Sequence, residues 1–428
     1  MERVESRLRI RRRAFAAAAA AAAVAVATTI PAMAASGAQS SPSAAGGAGN
    51  WVTAWGASQV VGSDVPGSTC PAGTGLTDQT VRNVIFLSAG GSRVRIRLTN
   101  AFGTEAMRVG HASVAVQASG ARAVRGTLHA LTFGGRRAVT LAAGGAALSD
   151  PVPLRVAALS ALLVSVYVPG PTGPVTNHPF TAQGNYLGRG DLAGSVSGAA
   201  YGDTPCWMLV SGVNVSAPAH VIGTVVALGD SITDTANTTG NANRRWPDDL
   251  ARRLNALPGP TLSVVNAGLG GNRLLAPRPG QPYYGVPALA RLDRDVFAQT
   301  GVRAVILLEG VNDIGYNATA DEIIVGYQQI IARSHARGLA VYGATITPFG
   351  GSIVDSAPAE KTRTDVNTWI TTSHAFDGVI DFAAAVADPG RTTALNPSYD
   401  SGDHLHPNDA GCQAMAGAID LRMLTRNR

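Results

Sequence analysis

The feature that most constrains the fold of this chain is a short apolar run, residues 224–228, that ends at Gly229-Asp230-Ser231. Such a run is typical of a strand buried on both faces of a parallel sheet. Gly229 permits a sharp turn at the carboxyl end of this strand, which is where ligands bind in open α/β sheets. The pattern therefore predicts that Ser231 presents its hydroxyl above the sheet edge. The alternative is that Asp230 and Ser231 only cap the next helix.

The first 34 residues have the layout of an export signal. Six arginines and two glutamates precede an apolar stretch over residues 14–30, and small residues at Ala32-Met33-Ala34 predict cleavage after Ala34. Arg12-Arg13 fits a twin-arginine signal, so Sec and twin-arginine export both stay open. The apolar stretch is Ala-rich and short for a membrane anchor. We therefore expect a secreted protein that is not an integral membrane protein.

Charge and length narrow the class of protein further. The chain has 428 residues, enough for two domains, and a formal net charge of +6. Because the leader carries a net +4, the remaining chain is left with +2 and no dense basic cluster. Such a surface predicts no nucleic-acid partner. We expect a monomer.

The three cysteines allow at most one intramolecular bridge. Cys70 and Cys206 both lie in Pro/Gly-rich loops of the first half, and export would permit a disulfide between them. Cys412 lies in an apolar helical pattern, typical of a buried thiol. No Cys/His cluster has the spacing of a zinc site, and the favoured interpretation of the chain includes neither a metal nor another cofactor.

The pattern before residue 220 is that of β structure. After a Ser/Ala/Gly-rich linker at residues 35–50, short strands are expected between residues 51 and 219, separated by glycine-rich turns. Residues 93–99 alternate apolar side chains with arginines, which predicts one buried face and one solvent face. Many short strands favour an all-β sandwich or jelly-roll-like domain. We predict strands at residues 81–87, 93–99, 112–116, 138–141, 161–168 and 207–215.

Four residues of this domain raise a second possibility, a sugar-binding face. They are Trp51, Trp55, His178 and Tyr186. Ordinary core and turn positions are the favoured interpretation of all four.

From residue 220 to residue 428 strands and helices alternate, which predicts a parallel sheet covered on both faces. The predicted strands are residues 224–228, 262–266, 302–308, 339–346 and 378–382. The predicted helices include residues 246–254, 321–337, a segment within 360–373, and 409–424.

Residues suited to nucleophilic catalysis lie at the ends of the predicted strands and before the last predicted helix. Ser231, Gly271 and Asn312 come after three predicted strands, and Asp403 and His406 precede the last helix. A serine hydroxyl needs a base within hydrogen-bond reach, and histidine suits that role. The histidine needs an acceptor on its other nitrogen. An oxyanion would need convergent donors, for which the candidates are the N–H groups of Ser231 and Gly271 and the Asn312 amide.

Four sequence blocks resemble, in order, those of the SGNH (GDSL-type) family of serine esterases. They are Gly229-Asp230-Ser231-Ile232-Thr233, Asn266-Ala267-Gly268-Leu269-Gly270-Gly271, Gly310-Val311-Asn312-Asp313 and Asp403-His404-Leu405-His406-Pro407. The resemblance covers roughly residues 220–428 and implies a three-layer, flavodoxin-like hydrolase domain. It implies Ser231 as nucleophile, His406 as base, Asp403 as the acid that orients it, and Ser231, Gly271 and Asn312 as oxyanion donors. Gly270 and His404 are the neighbouring alternatives.

The β-rich part resembles, more loosely, the region before such domains in some secreted actinobacterial hydrolases. We expect a small-molecule or polymer-borne ester as substrate. The β domain and the predicted export favour acyl esters, chiefly acetyl esters, on polysaccharide. Lipid or phospholipid acyl esters are the alternative. The long loop at residues 274–286 is expected to shape the substrate site. Two other classes compete: a metal-dependent phosphoesterase using Asp230, Asp403, His404 and His406, and a carbohydrate-binding protein without activity.

Overall fold

The computed structural model describes residues 49–234 and 237–426. The signal peptide and the linker up to residue 48 lie outside the described residues and stay predictions. Among the described residues, no helix combines the length and apolar character that crossing a bilayer requires.

Antiparallel strands make up the first part of the described chain. They are β1 (Trp51–Gly56), β2 (Gln79–Phe86), β3 (Val94–Thr99), β4 (Met107–Val109), β5 (His111–Ser119), β6 (Arg122–Ala123), β7 (His129–Ala130), β8 (Val139–Leu141), β9 (Ala146–Leu148), β10 (Ala161–Val168), β11 (Asn177–His178), β12 (Asn185–Arg189), β13 (Gly202–Thr204), β14 (Trp207–Met208) and β15 (Val210–Ser216). One sheet has the order β1-β15-β3-β9, and a larger one has the order β13-β12-β2-β10-β5-β6, with β7 paired to β5. Two short pairs, β11-β14 and β4-β8, complete this region.

The two larger sheets share one hydrophobic core. Val52 and Ile96 from the first sheet and Val81 and Val164 from the second belong to the same cluster, and each is 0% exposed. Two sheets with their inner faces in one core form a β-sandwich. The predicted antiparallel β fold of this region is therefore confirmed.

The alternation in β3 buries the predicted face, but its arginines do not stand free in solvent. Arg95 lies over the ring of Trp51, with its guanidinium carbon 4.3 Å from the ring centroid. Burial lowers the pKa of Arg97. Arginine stems cover apolar surface readily, which explains why alternation alone overestimated their exposure.

The second part of the described chain contains a parallel sheet of five strands, as predicted. These are β16 (Val221–Gly229), β17 (Thr261–Gly268), β18 (Val302–Leu308), β19 (Ala340–Ala344) and β20 (Gly378–Ile380), and a short hairpin follows in β21 (Ala387–Asp388) and β22 (Arg391–Leu395). Their order is β17-β16-β18-β19-β20. This is the 2-1-3-4-5 order of flavodoxin-like folds, whose switch point lies between the first and third strands, here β16 and β18.

The helices of this part follow the strands in alternation. They are α1 (Ser231–Asp234), α2 (Trp246–Asn255), α3 (Ala288–Leu292), α4 (Val311–Gly315), α5 (Ala320–His335), α6 (Ala357–Thr372), α7 (Phe382–Val386), α8 (Asp409–Gly417) and α9 (Leu421–Thr425). A 3-10 turn at Pro282–Tyr284 and a π-helical turn at Asp293–Phe297 add to them. Thr319 and Glu322 form a capping box at the start of α5.

One prediction about helices needs correction, and one helical segment was missed. The single helix expected over residues 409–424 is two helices, because the Asp420 side chain accepts the Arg422 N–H at 2.9 Å and starts α9. The helical segment that begins at α3 and continues into the π turn was not predicted at all.

The β-rich and α/β parts pack closely, and Gly49–Arg428 form one compact unit. The Thr53 N–H donates to Thr300 O at 2.9 Å, and Asn255 Nδ2 donates to Ser88 O at 2.8 Å. The boundary between residues 219 and 220 stays a prediction.

The cysteines are arranged as the sequence predicts. Cys70 and Cys206 form a disulfide, with their Cα atoms 5.8 Å apart, and the prediction of this pair is confirmed. Cys412 is buried in α8.

Candidate active site

The turn that carries Ser231 connects β16 to α1. A Cβ at Gly229 would lie 2.1 Å from Thr233 Oγ1, so this turn requires glycine. Asp230 is 1% exposed, and its Oδ1 accepts the Ile232 N–H at 2.9 Å. Asp230 therefore caps the short helix, while Ser231, the first residue of that helix, lines an open pocket.

The loop before α8 brings an imidazole to this hydroxyl. His406 Nε2 lies 2.8 Å from Ser231 Oγ, and His406 Nδ1 lies 2.6 Å from Asp403 Oδ2. Because a carboxylate only accepts, Nδ1 carries the proton and Nε2 is free to accept from the serine. The three side chains thus form a chain of hydrogen bonds in the order that nucleophilic catalysis needs.

Asp403 is held in its ionised form by donors around it. Partial burial alone would raise its pKa, but hydrogen bonds from the His406 ring and from the His406 and Leu405 N–H groups hold the pKa at about 2. Asn237 Nδ2 adds a donor at 3.0 Å. Asp403 is therefore ionised at neutral pH.

The neighbouring histidine is engaged elsewhere. His404 Nδ1 lies 2.6 Å from Asp400 Oδ2, and the His404 side chain is 57% exposed. His404 also has a φ of 62°, in the left-handed region of the backbone map. Of the two histidines that the sequence offered, the structure places His406 at the serine.

The loop after β17 resolves the ambiguity between its two adjacent glycines. The Gly270 N–H donates to Asp234 Oδ2 at 2.9 Å. Within the described part of the chain, no protein acceptor is hydrogen-bonded to the Gly271 N–H. A Cβ at Gly271 would lie 2.3 Å from the Tyr284 ring, and its φ is 67°, so both the space and the backbone require glycine. Gly271 is thus the glycine with an available donor.

Asn312 follows β18 and contacts the loop that carries Gly271. Its Nδ2 donates to Asn272 O at 2.8 Å, and its Oδ1 accepts from Arg278 Nη2 at 2.5 Å. An amide nitrogen has two hydrogens, so one remains for a substrate. The Ser231 N–H, at the first position of α1, has no intrahelical partner. The structure therefore brings Ser231, Gly271 and Asn312 to the same pocket.

The pocket around Ser231 has a volume of about 360 Å³, within the range of small-molecule sites. Arg278 and Tyr284 from the loop at residues 274–286 line it, as expected. Apolar and aromatic side chains dominate the wall: Phe180, Tyr284, Tyr316, Ile353, Val354 and Leu405. The surface around the serine therefore suits an apolar group.

A buried ionic cluster underlies the pocket, and sequence reasoning missed it. Arg291 is 0% exposed; it donates to Gly229 O at 2.8 Å and to Glu309 Oε1 at 3.1 Å. Burial raises the pKa of Asp230 to about 7, and the carboxylate of Asp313 adds to the rise. Burial also raises the pKa of Glu309, and Asp230 contributes. Asp230 bonds to the turn directly, and Glu309 is connected to it through Arg291.

The donor set proposed for a metal does not converge. Asp230 is buried beneath the turn, and His404 and His406 each pair with a different aspartate. Among the described residues, no group of three or more His, Cys, Asp or Glu side chains has the geometry to hold a metal ion.

Residues 227–414 match the family of GDSL-like lipases and acylhydrolases. The C-terminal half of the chain is a GDSL-like acylhydrolase. It is therefore a carboxylic ester hydrolase, as the sequence predicts. No curated protein matches the chain.

The chain is also similar to solved structures, which match slightly under half of its length. An aryl esterase of M. smegmatis is 16% identical, with 46% of this chain and 95% of that chain covered and a TM-score of 0.37. A carbohydrate acetylesterase from Sinorhizobium meliloti is 14% identical, with 46% and 96% covered and a TM-score of 0.36. A lipase/acylhydrolase from Enterococcus faecalis is 20% identical, with 47% and 95% covered and a TM-score of 0.37.

The β-rich part of the chain also reaches the site. Phe180 lines the pocket and packs against the Tyr284 ring at a centroid distance of 5.9 Å. His178 and Trp55 are buried, at 1% and 6% exposure, so they form no sugar-binding face. The favoured interpretation of these two as core residues is confirmed.

Proposed function

We propose that the protein is a secreted serine esterase that hydrolyses carboxylic esters through an acyl-enzyme on Ser231. The observation that carries this proposal is the position of His406, 2.8 Å from Ser231 Oγ and 2.6 Å from Asp403 Oδ2. The Cys70–Cys206 disulfide supports secretion, because such bonds persist mainly in oxidising compartments.

In the proposed first step, Ser231 Oγ forms a bond to the ester carbonyl carbon, and its proton moves to His406 Nε2. The carbonyl electron pair becomes an oxyanion, which accepts hydrogen bonds from the N–H groups of Ser231 and Gly271 and from Asn312 Nδ2. Collapse of this intermediate breaks the ester C–O bond. The alcohol leaves with the proton from His406, and the acyl group stays on Ser231.

In the second step, water attacks the acyl-enzyme by the same route. His406 Nε2 takes a proton from the water and returns it to Ser231 Oγ as the acid leaves. Asp403 stays ionised throughout and stabilises the imidazolium, as its low pKa of about 2 supports.

Two substrate classes follow from different observations. The β-sandwich and the export signal favour acyl esters, chiefly acetyl esters, on an extracellular polysaccharide. The pocket favours a second class, lipid esters with longer acyl groups, because its wall is apolar and its volume of about 360 Å³ exceeds what an acetyl group fills.

The test of the mechanism uses the purified protein with p-nitrophenyl acetate, butyrate and octanoate. We expect Ser231→Ala and His406→Ala to lose on the order of 10³-fold or more in kcat. His404→Ala is the matched control, since it removes a histidine two positions away that pairs with Asp400, and it should stay within about 2-fold. Full activity in Ser231→Ala, or an equal loss in His404→Ala, would contradict the proposal.

The test of the substrate uses polymers and lipids in parallel. Release of acetate from acetylated xylan, compared with release of fatty acid from an emulsified triglyceride, assigns the class. An activity on p-nitrophenyl esters that rises from acetate to octanoate favours the lipid class, and a fall favours the acetylated polysaccharide.

A further inference from the structure

A buried histidine of the β-rich region contacts the catalytic half of the chain. His178, at the end of β11, is 1% exposed, and its ring lies beside Trp207 at a centroid distance of 5.4 Å. Its Nδ1 lies 2.7 Å from Ser58 O, and its Nε2 lies 3.0 Å from Asp234 Oδ1. His178 therefore bridges the β-sandwich to the last residue of α1.

Both ring nitrogens of His178 face acceptors. A carbonyl oxygen such as Ser58 O only accepts, so Nδ1 carries a hydrogen. Nε2 faces a carboxylate and, at 3.2 Å, Phe180 O, so it carries a hydrogen as well. Burial opposes this charge, but Asp234 and the hydrogen bonds outweigh it and raise the pKa of His178. His178 and Asp234 are therefore a buried ion pair, with side chains 2% and 3% exposed.

The other charges near this pair neutralise each other. Arg245 and Asp248 line the same small cavity, of about 20 Å³, and bond to one another at 2.6 Å. His178 is thus the cation that balances Asp234. Without it, Asp234 would be a buried carboxylate with only neutral donors, which a protein interior disfavours strongly.

Asp234 connects this pair to both parts of the reaction centre. It ends α1, the helix that Ser231 begins. Its Oδ2 accepts the Gly270 N–H at 2.9 Å, and the next amide is that of Gly271. A shift of Asp234 would therefore change the separation between Ser231 Oγ and the Gly271 donor.

We propose that His178 is a positioning residue which the β-rich region supplies to the active site. Through Asp234 it fixes the loop of Gly270 and Gly271 relative to Ser231. Oxyanion donors act only when they are held in place before the reaction, so their position determines kcat rather than substrate binding. The inference rests on the proposed roles of Ser231 and Gly271, and it gives the β-sandwich a part in catalysis.

The experiment measures kcat and KM of His178→Gln, Asp234→Asn and the double variant with p-nitrophenyl butyrate. We expect each single variant to lower kcat about 10- to 100-fold, with KM within about 3-fold, because a donor is displaced rather than removed. The kcat of the double variant should be at least about 5-fold higher than that of His178→Gln. It leaves a neutral pair that can bond internally and still accept the Gly270 N–H.

Thr53→Val is the matched control. Thr53 is 1% exposed and bonds the two parts of the chain, since its Oγ1 accepts the Thr300 N–H at 2.8 Å. This contact lies just before β18, at the sheet edge opposite the carboxyl ends that carry Ser231 and Asn312. The kcat of Thr53→Val should stay within about 2-fold of wild type, even if its melting temperature falls as much as that of His178→Gln.

Each outcome separates the inference from the proposed function. If the wild type shows no activity that depends on Ser231, the proposed function fails. If that activity exists and the kcat of His178→Gln stays within about 2-fold of wild type, the positioning role is wrong. It is also wrong if Thr53→Val lowers kcat as much as His178→Gln does. Should His178→Gln not fold, ¹⁵N-histidine NMR of the wild type at pH 8 decides: two N–H signals for His178 support the ion pair, and one overturns it.

Discussion

Arg278 Nη2 donates to Asn312 Oδ1 at 2.5 Å, so a guanidinium holds the amide whose nitrogen faces the pocket. The same guanidinium lies 4.3 Å from the centroid of the Tyr284 ring, which in turn covers Gly271. One side chain therefore contacts the surroundings of two oxyanion donors. It also draws electron density from the amide, which makes its N–H a better donor.

Replacing this arginine should slow the chemical step. We expect Arg278→Met to lower kcat about 10-fold, because a hydrogen bond to a charged group contributes about 1.5–3 kcal/mol and only part of it acts in the transition state. Steady-state kinetics with p-nitrophenyl butyrate measures this. Arg337→Met is the control, since it also removes a cation from an aromatic ring, that of Phe297, and Arg337 does not line the pocket. Equal losses in both variants would contradict the role of Arg278.

The buried Asp230 should make stability depend on pH. Its pKa is about 7 in the folded protein, against 3.8 for an ordinary aspartate. Between these values the unfolded chain has released the proton and the folded protein retains it, so rising pH favours unfolding. From pH 5 to pH 8 we expect this group alone to lower the free energy of unfolding by about 2–3 kcal/mol.

The measurement is urea unfolding of the wild type and Asp230→Asn at both pH values. The variant stays uncharged at position 230 and keeps an acceptor for the Ile232 N–H, so its loss of stability should be smaller. Asp293→Asn is the control, because this carboxylate is 62% exposed. Its free energy of unfolding should fall between the two pH values as much as that of the wild type. An identical decline in Asp230→Asn would show that Asp230 is not the group that titrates.

The sequence predicted well what local signals encode. The apolar runs at Ala161–Val168 and Val302–Leu308 are strands with the bounds expected from the pattern. The carboxyl ends of parallel strands meet at one edge of the sheet. Regular elements directly precede or follow Ser231, Asn312 and His406, so the sequence could place all three at that edge. Short strands such as Ala146–Leu148 were missed, because two alanines and a leucine are too few residues to carry a periodic signal.

The supporting shell of the site depends on contacts between distant parts of the chain. His178 and Asp234 are 56 residues apart, and Arg291 bonds Ser58 across 233 residues. A lone buried histidine or arginine looks the same in sequence whether its partner is a core carbonyl or a carboxylate beside a nucleophile. Only the packing of the β-sandwich on the parallel sheet distinguishes the two cases.

The disulfide should stabilise the whole unit. It closes a loop between residues 136 positions apart, and a loop of this length implies a contribution on the order of 2–5 kcal/mol. We expect the double variant Cys70→Ala/Cys206→Ala to unfold at lower urea concentration by this amount. Cys412→Ala is the control for loss of a thiol side chain, and only the double variant should become insensitive to dithiothreitol. A wild type whose unfolding is unchanged by dithiothreitol would contradict this contribution.

The exposed Ile353 at the pocket mouth should discriminate between acyl chains. It is 98% exposed in the free protein yet lines the pocket, so a long acyl chain that reaches it would bury apolar surface there. We expect Ile353→Ser to lower kcat/KM for p-nitrophenyl octanoate about 3- to 10-fold, since partial burial of an isoleucine contributes about 1 kcal/mol, and to leave the acetate within about 2-fold. Val325→Ser is the control, at a 51% exposed position of α5 outside the pocket lining. It should leave kcat/KM unchanged for both the octanoate and the acetate. Equal effects on both esters would mean that the acyl chain does not extend to Ile353, and the lipid class would lose its structural support.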